Sequence, residues 1–362
     1  MEKPKNVRSR ELIGELHVLK GVTYMCIDEK NHYLIDWLSF TVRSSDPLEV
    51  IEKVGLQELN LEMSSSGRYG YEKGYSDSGL VNVFYSEKRS DMGVHVEMTG
   101  QGVRKFETLM ERQGVDWFEV LGHLQSFAKF SRIDLALDEF EGLVKFNDII
   151  DKIEKGEHVG RCRSFKVISG RDSYGEHTGT TIYLGSNKSD VMLRIYEKNY
   201  ERQEKGYEVT EDIWNRWELV LKHDKANNFV SELLNNGYSF GGLFKGIIGD
   251  LIRFVDPSSD SNKRRWQQSS WWGKFLEGIE PIQLKGKEYQ PNLARTLNWV
   301  ENSTLTALKG LSEIASKEDI DFFGELSKME NYNKEKVDKM VNEYAGLRGI
   351  EKQKFINLLK SK

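Results

Sequence analysis

The order of predicted elements repeats once along the chain, and this repeat constrains the fold more than any other feature of the sequence. The first half has strands at 33–42, 80–86 and 92–99 and helices at 46–56, 102–112 and 117–129. The second half has strands at 131–138, 164–169, 180–185, 191–197 and 214–222 and helices at 145–155 and 225–235. Each half therefore has the order β-α-β-β-α, with extra strands inserted in the second.

This order is typical of ferredoxin-like and RRM-like domains, in which the first and third strands lie side by side in an antiparallel sheet. We therefore expect an α+β fold with units at 33–129 and 130–236, inside a domain that covers residues 33–255. Residues 1–32 show no clear pattern and are expected to be an N-terminal extension. The serine-rich segment 256–270 predicts a linker, and the charged helical patterns at 271–362 predict a separate helical region.

Composition excludes several classes of protein. A net charge of −5 over 362 residues excludes a chain that is basic throughout, although DNA binding needs only a local basic patch. Cys26 and Cys162 fit neither a disulfide framework nor a zinc motif, which favours a reducing, cytoplasmic setting. The sequence has no apolar run of 18 residues, no signal-peptide pattern and no phosphate-binding loop, so we expect no membrane association and no ATPase motor.

A tyrosine with two flanking cations lies in segment 191–197. This segment alternates, with Met192, Arg194 and Tyr196 on one face and apolar residues on the other. Arg194 precedes Tyr196 by two positions and Lys198 follows it by two. Because nearby cations favour a phenolate and can hold a phosphate, Tyr196 is a candidate nucleophile for a phosphodiester. The alternative is an ordinary tyrosine at a sheet edge.

Acidic residues lie on predicted central strands, where alternation places each beside other polar residues. The groups are Asp134 with Arg132 and Asp138, Glu218 with Arg216, and Glu97 with His95. The predicted fold makes the strands of Asp134 and Glu218 neighbours, so these carboxylates and Glu97 are candidate ligands for Mg²⁺ or Mn²⁺. Such an ion would stabilise the charge that develops when a phosphodiester is attacked. The alternative is a set of cross-strand ion pairs.

Two segments combine basic and aromatic residues, which can contact phosphates and stack on bases. The first contains Arg68, Tyr69, Tyr71, Lys73 and Tyr75, and the second contains Lys263, Arg264, Arg265, Trp266, Trp271, Trp272 and Lys274. We predict DNA binding at both. For the second segment, the alternative is a solvated linker followed by tryptophans that pack into the helical region.

In combination, these motifs resemble the Rep_trans family, which includes the initiators of pT181-type rolling-circle plasmids, related relaxases of integrative elements, and phage replication initiation factors. The resemblance spans about residues 35–235 and is carried by SRIDLALD (131–138), TIYLGSNKSDVMLRIYEK (181–198), RWELVLK (216–222) and GVHVEMTGQGVR (93–104). It identifies Tyr196 as the nucleophile of an R-I-Y-x-K segment. It also matches Arg132 and Asp134 to R-[IL]-D, Arg216 and Glu218 to R-x-E, and Glu97 to the acid of a V-E strand.

The resemblance implies a metal-dependent nicking and joining reaction at an origin in single-stranded or extruded hairpin DNA. Tyr196 would form a 5′-phosphotyrosine and leave a free 3′ hydroxyl for replication or transfer of a mobile element. A host helicase of the PcrA type and a homodimer are the implied protein partners. The plasmid initiators have no tyrosine at the position of Tyr200. We expect Tyr200 to be an ordinary exposed aromatic residue, not a second nucleophile.

Two other functions are compatible with the same strands. One is a catalytically silent origin-binding or regulatory protein of this fold, which Tyr196→Phe would distinguish because only an enzyme would lose nicking. The other is an RRM-like RNA binder, which should carry aromatic residues on its central strands. Acids occupy those positions here, and they would repel phosphates in the absence of a metal.

Overall fold

The computed structural model describes residues 17–19, 22–24, 26–27, 31–236, 238–284, 305–317, 319–328 and 341. The chain divides into two compact units, Met1–Gly286 and Lys287–Lys362. Among the described residues, no helix is both long enough and apolar enough to cross a membrane. Much of the helical region predicted at 271–362, and most of the predicted extension at 1–32, lie outside the described residues.

The described strands, numbered in chain order, are His17–Leu19 (β1), Val22–Tyr24 (β2), Cys26–Ile27 (β3), Asn31–Val42 (β4), Glu62–Ser64 (β5), Lys73–Asp77 (β6), Val81–Tyr85 (β7), Val94–Met98 (β8), Ala128–Glu139 (β9), His158–Gly160 (β10), Phe165–Arg171 (β11), His177–Leu184 (β12), Val191–Glu197 (β13), Asn215–Lys222 (β14) and Ile252–Phe254 (β15). The described helices are Pro47–Val54 (α1), Gly100–Gln113 (α2), Trp117–Phe127 (α3), Phe146–Glu154 (α4), Lys198–Glu204 (α5), Asp224–Asn235 (α6), Phe240–Leu251 (α7), Ser270–Phe275 (α8), Leu305–Lys317 (α9) and Phe322–Ser327 (α10).

One 11-stranded sheet joins the two halves of the first unit. Its order is β11-β12-β13-β14-β9-β4-β8-β7-β6-β5, with β3 paired to β4, and all its pairs are antiparallel. The first and last strands of each half are neighbours, as β4–β8 and β9–β14. The predicted α+β fold is therefore confirmed, and pairing of β4 with β9 merges the two predicted sheets into one.

Helix boundaries follow the signals that the sequence carries. Asp46 accepts a hydrogen bond from the Leu48 backbone N–H, Pro47 opens α1, and Gly55 ends it in the left-handed region at φ 82°. Asp116 and Glu119 form a reciprocal capping box at the start of α3. These caps explain why the predicted helices at 46–56 and 117–129 begin where expected.

The two faces of the central sheet differ sharply in polarity. One face carries fully buried apolar residues, such as Ile35, Leu135, Ile195 and Leu219, which belong to the core cluster beneath the helices. Helices α2, α3, α6 and α7 contact β4 or β9 from that side. Because side chains alternate along a strand, the other face receives the acids and cations of the same strands. This is the arrangement that the alternation predicts.

The segment predicted as a linker, 256–270, is instead part of the first compact unit. Val255 pairs with Gln268 in an isolated bridge, so the chain folds back on itself. Trp272 and Phe275 of α8 are buried against Trp217 of β14, with ring centroids 6.1 Å and 4.2 Å from that ring. Burial of these aromatic rings explains why the unit extends past the predicted boundary.

Candidate functional site

The phenol of Tyr196 lies between a carboxylate and an ammonium group. Its Oη donates a hydrogen bond to Glu218 Oε1 at 2.6 Å, and Lys198 Nζ lies 3.4 Å from the same Oη. Arg194, which is directly opposite Glu218 in the β13–β14 register, pairs with Glu218 Oε2. Tyr196 itself is only 7% exposed. Tyr196 therefore contacts the two cations that the sequence placed beside it, Arg194 and Lys198, and also Glu218.

The electrostatics of Tyr196 differ from the sequence-based expectation. Burial, followed by the negative charge of Glu218, raises the pKa of Tyr196 well above 10, while Arg216 and Arg194 lower it less. Burial and Arg216 also lower the pKa of Lys198. The cations favour the phenolate as expected, but desolvation and Glu218 outweigh their effect on the pKa of Tyr196. A protonated phenol on a carboxylate acceptor is the resting state.

Arg216 is held in a buried bidentate pair. Its Nε and Nη2 donate to the two oxygens of Asp138, both at 2.6 Å, and its Nη1 lies 3.6 Å from Asp36 Oδ1. Asp36 occupies a register shift between Ile35 and Trp37, and such bulges re-aim side chains beside active sites. Burial raises the pKa of Asp36, and Arg216 opposes that effect. Asp36 is not among the predicted site residues, although an acid inside an otherwise apolar strand is a sequence signal for such a site.

Asp134 and Arg132 form a second ion pair on the same face. Arg132 donates to both Asp134 oxygens, at 2.8 Å and 2.6 Å, and its guanidinium lies 4.4 Å from the centre of the Trp37 ring. Burial raises the pKa of Asp134 to about 6. In the β9–β14 register Asp134 lies opposite Val220 and Glu218 lies opposite Ala136, so the two acids are diagonal neighbours.

Glu97 is the centre of a third group, on the first half of the sheet. It is 1% exposed and accepts hydrogen bonds from Tyr69 Oη at 2.7 Å and from Arg68 Nη1 at 3.4 Å. The neighbouring His95 hydrogen-bonds Thr41 at 2.9 Å, and burial lowers the pKa of His95 to about 4, so its ring is neutral near pH 7.

The predicted three-carboxylate metal site is not assembled in this structure. Among the described residues, no group of three or more His, Cys, Asp or Glu side chains could hold a metal ion. Asp134, Glu218 and Glu97 come from three strands, and each carboxylate already has a cation or a phenol as its partner. The donor chemistry suits Mg²⁺ or Mn²⁺, but the arrangement does not fit a three-ligand site.

An open cleft of about 670 Å³ lies beside Tyr196 and is also lined by Arg194, His177 and Tyr200. Tyr200 packs edge-on against His177, with ring centroids 5.0 Å apart, and His177 Nε2 lies 2.6 Å from Glu197 Oε2. Tyr200 is partly buried in this cleft, and not the ordinary exposed residue that we expected.

The predicted basic segments have different positions. Arg68 and Tyr69 lie on the polar face of the sheet through Glu97, whereas Lys73 pairs with Glu87 at 2.8 Å. The second segment forms the 3₁₀ turn Lys263–Arg265, followed by Trp266, whose Nε1 donates to the Asp260 carbonyl at 2.6 Å. Lys263 donates to the Gly156 carbonyl at 2.7 Å. Neither segment lines the cleft at Tyr196.

Comparison with known proteins identifies the class that this fold and site define. The Rep_trans family model, described as "Replication initiation factor", matches residues 128–326. A second model, "Rolling Circle replication initiation protein N-terminal domain", matches residues 32–123. The chain is therefore built as the rolling-circle initiators are, and it belongs to the replication initiation factor family.

Individual relatives agree with that assignment. The chain is 31% identical over 315 residues to the putative DNA relaxase NicK of Bacillus subtilis (strain 168), covering 84% of this chain and 88% of the relative. Among solved structures, it is similar to the rolling circle replication initiator protein from Geobacillus stearothermophilus. That match has a TM-score of 0.60 and 29% identity, and it covers 70% of this chain and 98% of that chain.

Proposed function

We propose that this protein nicks and rejoins one strand of DNA at an origin, with Tyr196 as the nucleophile. The observation that carries the proposal is the 2.6 Å hydrogen bond from the Tyr196 phenol to Glu218, with three cations around it. The names of the relatives, a putative DNA relaxase and a rolling circle initiator, support the same reaction class.

In this mechanism Glu218 is the general base. A phenol whose pKa is raised cannot rest as a phenolate, so its proton passes to Glu218 while Oη attacks the phosphorus. The new O–P bond forms a 5′-phosphotyrosine, and the bond to the 3′ oxygen breaks and leaves a 3′ hydroxyl after protonation. Because the phosphotyrosine keeps the ester bond, the reverse attack by a 3′ hydroxyl rejoins the strand.

The cations have separate roles around the phosphate. Lys198 lies next to the attacking oxygen, and Arg194, whose side chain is 37% exposed, is able to turn from Glu218 towards a bound phosphate. Arg216 is fixed by Asp138 and supplies a stationary positive charge beside Tyr196. Pre-positioned charges of this kind stabilise a transition state without reorganisation.

A divalent ion stays a prediction of the sequence resemblance. The carboxylates are engaged by Arg132, Arg194, Tyr196 and Tyr69, so they would have to leave these partners to bind Mg²⁺ or Mn²⁺. No step above depends on the ion. If it is required, EDTA will abolish adduct formation, and Asp134→Ala or Glu218→Ala will lose the response to Mn²⁺.

We further propose single-stranded or hairpin origin DNA as the substrate, bound with help from Arg68, Tyr69 and Lys73 and from the turn with Lys263, Arg264, Arg265 and Trp266. A host helicase of the PcrA type would unwind the duplex, and a homodimer is proposed for the complete reaction. The biological role is replication or transfer of a mobile element, in the cytoplasm.

The test uses single-stranded oligonucleotides that contain candidate origins, incubated with the full-length protein and Mn²⁺ or Mg²⁺. A denaturing gel should show a covalent adduct, and peptide mass spectrometry should place it on Tyr196. Tyr196→Phe should abolish the adduct and retain DNA binding. The burial of Tyr196 favours one alternative, a catalytically silent DNA-binding protein, which would bind the same DNA tightly and give no adduct with any metal.

A further inference from the structure

The two halves of the sheet carry corresponding strand pairs, β7–β8 and β13–β14. Glu97 faces Asn82 across the first pair, as Glu218 faces Arg194 across the second. Two positions along, Phe84 faces His95 where Tyr196 faces Arg216. The first half thus keeps the buried carboxylate but has a phenylalanine in place of the nucleophile. A site of this kind can bind the same chemical class of ligand without cutting it.

A different phenol reaches this carboxylate. Tyr69, from the loop between β5 and β6, donates to Glu97 and has a left-handed backbone at φ 58°, which is rare for a bulky residue. The loop is tightly set, because a Cβ on Gly67 would lie 1.9 Å from the Tyr71 carbonyl oxygen. This backbone brings Tyr69 over the sheet, and the hydrogen bond to Glu97 orients its ring.

Tyr69 belongs to a cluster that we call the aromatic platform, which consists of Tyr69, Tyr71, Phe84 and His95. The Tyr69 ring packs edge-on against Phe84 and His95, at centroid distances of 6.2 Å and 5.6 Å. Tyr71 stacks on both of the same rings. Despite these contacts Tyr69 remains 64% exposed, so a rigid ring with a free face is presented to solvent.

Two arginines, Arg68 and Arg132, lie near the platform on the side of the sheet that carries Tyr196. Arg68 is next to Tyr69, and its side chain is 59% exposed. Arg132, on β9 between the two sites, interacts electrostatically with both Tyr69 and Glu218. Glu218 and Glu97 lie on β14 and β8, three strand intervals apart, which is about 14 Å across the sheet. Arg68 and Arg132 therefore supply positive charge on a face that also carries acids, and they are the groups there that can contact phosphates.

We propose that the aromatic platform binds one unpaired base of the strand that Tyr196 cuts, stacked on the free face of Tyr69 with Arg68 and Arg132 at the adjoining phosphates. This inference rests on the proposed function, since it takes the same single strand as its ligand. Stacking on an aromatic ring is sequence-tolerant, because every base has a π-face. The platform thus serves to hold the strand, and origin recognition is left to other contacts.

The binding test uses fluorescence anisotropy of a labelled dT₁₂ oligonucleotide with full-length protein that carries Tyr196→Phe, so that no chemistry intervenes. In that background we expect Tyr69→Leu to weaken binding roughly tenfold, which is the usual effect of losing one base–aromatic stack. Tyr69→Phe keeps the ring and loses only the hydrogen bond to Glu97, so its affinity should stay within about twofold. Thermal unfolding of each variant reports whether the fold is retained.

A cross-linking test locates the base directly. A dT₁₂ oligonucleotide with one 5-iodouracil should cross-link under ultraviolet light to the peptide that contains Tyr69, and Tyr69→Leu should remove that product. Equal affinity of Tyr69→Leu and the parent, equal losses in Tyr69→Leu and Tyr69→Phe, or cross-links found only elsewhere would each overturn the proposal. Adduct formation on Tyr196 is measured separately with saturating DNA, so failure of the nicking chemistry and failure of the platform give different results.

Discussion

Arg216 and Asp138 face each other across the β14–β9 pair and are joined by two hydrogen bonds of 2.6 Å, with both side chains buried. This pair sets the plane of the guanidinium that lies opposite Tyr196. Burying both charges of such a pair has a large desolvation free energy. The pair is therefore better explained by its positioning of the Arg216 charge than by a gain in stability. Arg216 thereby lies between Tyr196, opposite it on β13, and Asp36, which is 3.6 Å from its Nη1.

We expect Asp138→Asn to lower the free energy of unfolding by about 3 kcal/mol, because it leaves the Arg216 charge buried without its main partner. Urea denaturation followed by circular dichroism would measure the change. Asp151→Asn is the matched control, since Asp151 forms an exposed pair with Lys155 and its loss should cost less than about 0.5 kcal/mol. Similar small effects in both variants would contradict the positioning role of the buried pair.

Glu218→Gln should reduce the rate of nicking by about 10² to 10⁴, the usual contribution of a positioned base, because an amide cannot accept the phenol proton. Binding of the oligonucleotide should change little. Single-turnover adduct formation would measure the rate, with Glu154→Gln on the exposed surface of α4 as the control. If Glu218→Gln nicks at the wild-type rate, Glu218 is not the base.

We expect Asp134 to make the free energy of unfolding depend on pH. Its folded pKa of about 6 exceeds the value of about 3.9 in an unfolded chain, so the folded protein binds this proton more tightly. The contribution is full below about pH 4 and is lost as the pH rises through about 6. Relative to Asp134→Asn, the wild-type protein should therefore lose at most about 3 kcal/mol between pH 4 and pH 7. Urea titrations at intervals across this range would show it, and a constant difference between the two proteins would refute it.

Tyr200 shares the cleft with Tyr196 but has no carboxylate acceptor like Glu218 among its described contacts, since it packs edge-on against His177. We expect Tyr200→Phe to slow adduct formation by less than about tenfold and Tyr196→Phe to abolish it. Denaturing gels of both variants, with the adduct mapped by mass spectrometry, would decide the point. An adduct mapped to Tyr200 in the wild-type protein would reverse the assignment.

Local patterns predicted which residues share a face, but not which residues touch. The period of two was enough to place Arg194 with Tyr196 on one face of β13 and Arg216 with Glu218 on one face of β14, and the pairing of these strands brings the two groups together. The bulge that turns Asp36 towards Arg216 depends on how β4 pairs with β9, which no local pattern contains. The same is true of Tyr69, which reaches Glu97 from a loop 28 positions away in sequence. The metal site stays a prediction, since the alternation could not show that Glu97 and Glu218 have partners from other segments.

The pairing of β4 with β9 has a mechanical consequence for how this protein handles its substrate. A single ladder of backbone hydrogen bonds runs from β13, which carries Tyr196, to β7, which carries Phe84 of the aromatic platform. If the strand binds as proposed, the fold sets the distance between Tyr196 and Tyr69, and with it the number of nucleotides that fits between them. Because stacking on Tyr69 is sequence-tolerant, this spacing would be the same for any bound sequence.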